Sequence, residues 1–111
     1  MFRFVLTAKK NRFSKDEPLA FKDFTLTYIG DRQVSSQKSP NDYIFRDFKV
    51  HIGGGGERTV SWSKEIGAAN DGAAMPFGVT GVQYELELEK SKKLGKLAAD
   101  ELVIRAENSR F

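Results

Sequence analysis

The chain has 111 residues, of which 40% are hydrophobic and 30% charged, the composition of a folded domain long enough to bury one core. It contains no cysteine and one histidine, His51, which excludes disulfides, thiolate or multi-histidine metal sites, covalent haem attachment and a cysteine nucleophile. The net charge of +3 is uneven: residues 1–15 hold Arg3, Lys9, Lys10, Arg12 and Lys15 and no acid, so the basic excess belongs to the amino terminus.

In chain order the dominant hydrophobic period is two. Phe2, Phe4 and Leu6 alternate with Arg3, Val5 and Thr7, which predicts a first strand with its aromatic face in a core. Lys10-Asn11-Arg12 is expected to close a hairpin onto a short strand near Phe13, and Glu17-Pro18 to interrupt pairing. Phe24, Leu26 and Tyr28, then Phe48, Val50 and Ile52, then Val60 and Trp62 occupy alternate inward positions. Trp62 is expected at the centre of the core. Ser39-Pro40-Asn41-Asp42 and Asn70-Asp71-Gly72 read as turns, and Gly53–Gly56 as a hairpin tip. Residues 63–76 allow a helical turn or an ordered loop. Val82, Tyr84, Leu86 and Leu88 alternate with Gln83, Glu85, Glu87 and Glu89, the pattern of a strand with one face in water. Lys90–Gly95 separates the last two strands. Residues 94–106 admit a helical stripe, but Gly95 and the run Leu102-Val103-Ile104 favour a strand.

Short alternating segments joined by turns predict an all-β fold: a small single-domain antiparallel β-sandwich or partly open β-barrel of about six to eight strands over residues 1–111. No apolar run approaches the ~18 residues of a membrane helix. The stretch Met1–Thr7 is too short and too charged for a secretory signal. The default compartment is therefore the cytoplasm, with an exported mature form as the alternative.

Candidate chemistry is sparse. The four-glycine run lacks the strand-to-helix context and the Lys-Ser/Thr of a phosphate loop. His51 shares a strand face with Asp47 and Lys49, but Asp47 lies four residues, about 13 Å, away along the strand. A serine nucleophile would have to be Ser61 or Ser63. Glu85, Glu87 and Glu89 form a carboxylate row with the spacing of a glycosidase pair, expected to be a solvated face with Arg105 as a cross-strand partner. Residues 43–51 mix Tyr43, Phe45 and Phe48 with Arg46, Lys49 and His51, the composition of a single-strand nucleic-acid platform. The residues singled out as an anionic-partner patch are Arg3, Lys9, Lys10, Arg12, Lys15, Arg46, Lys49 and His51. No catalytic residue, cofactor or metal ion is assigned. The function expected is a non-enzymatic binding module for a protein or other macromolecule. The alternatives are a single-stranded nucleic-acid-binding barrel and an acid-catalysed hydrolase.

Overall fold

The computed structural model describes residues 3–35, 40–67 and 72–107. Eleven strands follow in order: β1 (Arg3–Phe4), β2 (Asn11–Arg12), β3 (Pro18–Ala20), β4 (Phe24–Val34), β5 (Tyr43–Ile52), β6 (Glu57–Glu65), β7 (Met75–Val79), β8 (Val82–Leu88), β9 (Lys90–Ser91), β10 (Gly95–Lys96) and β11 (Glu101–Ala106). They form a five-stranded sheet in the order β1-β3-β4-β5-β6, a four-stranded sheet in the order β2-β11-β8-β7, and the small β9–β10 hairpin. No ladder joins the two large sheets among the described residues, so the architecture is a sandwich and not a closed barrel. Pairing is antiparallel throughout both sheets except between β1 and β3.

Alternation explains the core. Leu19, Phe24, Leu26, Phe48, Val50, Val60 and Trp62 of the first sheet meet Phe77, Tyr84, Leu86, Leu88, Leu102 and Ile104 of the second. Phe24 meets Phe77 edge-on at 5.5 Å, and Phe13 meets Tyr28 at 5.2 Å. Trp62 is fully buried, as its position predicts; truncating such a residue costs about 3–5 kcal/mol. The described part of 63–76 contains no helix, and residues 101–106 form a strand. The tip Gly53–Gly56 does join β5 to β6. Asn70 and Asp71 lie outside the described residues, as does Ser39.

Four local expectations are corrected. The first hairpin does not form: β1 pairs with β3 in one sheet, whereas β2 pairs with β11 in the other. Residues 5–10 instead cross the open side of the sandwich from one sheet to the other. The phase of the first strand is also inverted, because Phe4 and Leu6 are 82% and 63% exposed while Val5 packs against the core. Pro18 starts a strand instead of interrupting pairing, since a first position has no ladder donor to lose. Finally, the outer face of β8 is not uniformly solvated. Glu87 is 2% exposed, and its partner Val103 on β11 is also buried. Two neighbours close on it: the β9–β10 hairpin, whose Lys92 N–H reaches back to Glu87 Oε2 at 3.0 Å, and Arg105 of β11, whose Nε donates to the same oxygen at 2.9 Å.

Candidate functional site: the amino-terminal edge

The segment from Arg3 to Arg12 is held to both sheets by its backbone. Val5 N–H donates to the Ala20 carbonyl at 3.0 Å, and Ala8 N–H to the Ile104 carbonyl at 2.8 Å. Asn11 Nδ2 donates to the carbonyls of Leu6 (3.0 Å) and Lys9 (3.3 Å). The Arg3 guanidinium donates to the Arg12 carbonyl, which brings the two ends of the segment together. With Val5 turned inward, Phe4 and Leu6 project on either side of it. They are the most exposed of the large apolar side chains among the described residues. Phe4 also borders an open groove of roughly 560 Å³ at one end of the sandwich, with Phe21, Lys22, Asp23, His51 and Gly53. The pairing register places Phe4, Ala20, Thr25, His51 and Glu57 in one cross-strand row on the outer face.

The structure divides the expected anionic-partner patch. Arg3, Lys9, Lys10 and Arg12 stay together on the amino-terminal segment. Arg3 approaches Glu17 (3.9 Å) and Arg12 approaches Asp100 (3.4 Å). Lys9 and Lys10 are exposed and form no ion pair among the described residues. Lys15 is exposed and bridges to Tyr28 through the backbone. Lys49 and His51 lie on the outer face of the first sheet, both beside Glu57, with Lys49 Nζ at 3.9 Å and His51 Nδ1 at 3.7 Å. Arg46 turns to the opposite face, where it sits 5.8 Å from the Trp62 ring centre and 3.9 Å from Asp31.

The aromatic strand is divided in the same way. Phe48 belongs to the core, and the Phe45 ring on the outer face is covered by the Arg32 guanidinium at 4.9 Å. Arg32 is held there by two hydrogen bonds to Asp47, at 2.6 and 3.0 Å. Ser61 donates to the same carboxylate at 2.6 Å. The Arg32 bond, followed by that of Ser61, keeps the Asp47 carboxyl below its ordinary titration range. Ser61 is therefore engaged by Asp47 and not by His51, so no serine–histidine pair forms there. Burial, reinforced by the hydrogen bond to Asp31, pushes the Tyr28 hydroxyl up to about 12.

The expected carboxylate row is broken after Leu88, where Glu89 takes a positive φ and turns to the other sheet; Glu85 and Glu87 form a second polar site. Arg105 donates from Nε to Glu87 Oε2 at 2.9 Å and from Nη2 to Glu85. Lys64 pairs with Glu89 at 2.9 Å. An open cleft of roughly 480 Å³ adjoins Glu85 and Glu87, with Lys90, Lys92 and Gly72 on its rim. Glu87 has the burial of a catalytic acid. Its Oε2 is taken by Arg105 and the Lys92 N–H, however, and its Oε1 is closed off from solvent without a partner. Neither oxygen is presented to a substrate. Among the described residues no group of three or more His, Asp or Glu side chains is placed to hold a metal ion, and no helix is long and apolar enough to cross a membrane.

No family model, curated protein or solved structure matches the chain. The site is accordingly read from its own geometry. Sequence reasoning named the cations of the amino-terminal edge but placed Phe4 and Leu6 in the core. The available signal was Val5: with apolar residues on both phases of the strand, alternation cannot say which phase faces inward.

Proposed function

We propose that this domain is a non-enzymatic binding module that docks a macromolecular partner on residues 3–12. The observation that carries this reading is the projection of Phe4 and Leu6 into solvent from a backbone tied to both sheets. Two large apolar side chains held in water by a pre-ordered segment contribute nothing to the core, and ordering in advance lowers the entropy cost of binding. The cations around them supply attraction to an anionic partner. The nucleic-acid alternative has less support, because Phe45 is covered and Arg46 faces the other way. The hydrolase alternative has less support, because of the two carboxylates beside its cleft Glu87 is buried with Oε2 taken and Glu85 is held by Arg105.

The test is site-specific photo-crosslinking in the source cells. A photoreactive phenylalanine analogue at Phe4 should give a defined adduct, whereas the same analogue at Gln83, exposed on β8, should not. Absence of an adduct at residues 4 and 6, with one appearing at Gln83, would refute the assignment of this edge.

A further inference from the structure

The chemistry of the amino-terminal edge identifies its partner more closely. We propose that residues 3–12 bind the surface of an anionic lipid bilayer, with Phe4 and Leu6 inserted among the acyl chains and Arg3, Lys9, Lys10 and Arg12 against the headgroups. This inference rests on the docking surface proposed above and names its occupant.

Four observations favour a lipid surface. The segment carries four cations and no acid, and Lys9 and Lys10 are exposed without an ion pair among the described residues. Protein interfaces are depleted in lysine, whereas lysine beside inserted apolar groups is the pattern of peripheral anchors on anionic membranes. Second, the backbone offers little to an added β-strand: the open sheet edge at β1 is only Arg3–Phe4, residues 5–10 are not strand, and the carbonyls of Leu6, Lys9 and Arg12 already accept side-chain donors. That leaves the side chains as the binding elements. Third, a second copy of this chain would bring like charges together. Fourth, nucleic-acid platforms stack successive rings, but the neighbour of Phe4 in this segment is an aliphatic leucine, which does not stack with bases. Insertion into lipid uses both residues.

The experiment is co-sedimentation of the protein with vesicles of phosphatidylcholine and phosphatidylserine in about a two-to-one ratio, with pure phosphatidylcholine as control. Binding is expected to the mixed vesicles and not to the neutral ones, and to weaken with added salt. Lys9→Gln and Lys10→Gln should each lower partitioning about fivefold. Phe4→Ala and Leu6→Ala should each lower it about tenfold, with the folding transition unchanged because both side chains are exposed. Binding that is absent, equal on neutral vesicles, or insensitive to Leu6→Ala would overturn the proposal. So would salt-sensitive binding of oligothymidylate that depends on Phe4 but not Leu6, a result that assigns the edge to nucleic acid. A protein or nucleic-acid adduct from a photoreactive group at residue 4, without vesicle binding, would remove the lipid and leave the docking surface. Loss of both signals would remove the docking surface as well.

Discussion

Gly72→Ala isolates one close contact on which the core depends. A Cβ at position 72 would stand 2.3 Å from Trp62 Cζ2, 2.8 Å from Cη2 and 2.9 Å from the Ser63 carbonyl oxygen. Carbon atoms in contact sit at about 3.5–4.0 Å, so the overlap exceeds an ångström. Trp62 is fully buried and the Ser63 carbonyl is backbone, so neither moves cheaply. The φ of Gly72 lies outside the left-handed region, so the penalty is steric. Overpacking of this kind costs about 3 kcal/mol, the upper part of the usual range, out of a total stability of about 5–15 kcal/mol. The expected loss in Tm is roughly 12–24 °C, at about 4–8 °C per kcal/mol for a domain near this size. Trp62 is the only tryptophan, so urea unfolding followed by its fluorescence reports on the site itself. Gly53→Ala is the control: nothing lies within 4 Å of its added Cβ, and its effect should fall between neutral and about 1 kcal/mol stabilising. Phenylalanine lacks the two clashing ring atoms, so Gly72→Ala should cost at least about 1 kcal/mol less in a Trp62→Phe background, read there by circular dichroism. A Gly72→Ala protein within about 0.5 kcal/mol of the parent, or an equal cost in both backgrounds, would refute the packing argument.

Other outcomes follow from the same geometry. Gly55 has φ +124°, so Gly55→Ala should destabilise by about 1–3 kcal/mol despite open space around it, measured by urea unfolding. Phe4→Ser and Leu6→Ser should change stability by less than about 0.5 kcal/mol, while Val5→Ala should cost about 1 kcal/mol; the reverse order would restore the phase first read from alternation. Because the Asp47 carboxyl is lowered from 3.8, its contribution is complete above that value and is lost as pH falls below it. Asp47→Asn should flatten that part of the acid unfolding curve. The Tyr28 hydroxyl is raised from 10.0 to about 12, so its contribution is present below pH 10 and lost as pH rises towards 12. Tyr28→Phe should abolish that alkaline loss in unfolding curves.

The periodicity of the sequence by itself determined much of the architecture. Alternation at Phe24–Tyr28, Phe48–Ile52, Val60–Trp62, Val82–Leu88 and Leu102–Ile104 made an all-β chain with Trp62 inside, because a strand half in water must repeat every two residues. The glycine run marked the β5–β6 turn, and the glutamate row pointed to Arg105 as its partner. Tertiary structure decided the rest. Alternation carries a period but no absolute phase, so Phe4-Val5-Leu6 could face either way until β1 joined β3 at the sheet edge and drew Val5 inward. The carboxylate of Glu87 left solvent where Arg105 of the neighbouring strand and a hairpin beyond the end of its own strand both closed on it. The cations Arg12 and Arg46 met Asp100 and Trp62 through contacts between neighbouring strands, β2 beside β11 and β5 beside β6. Such long-range contacts are set by which edges and faces the closed fold brings together, and no local pattern encodes them.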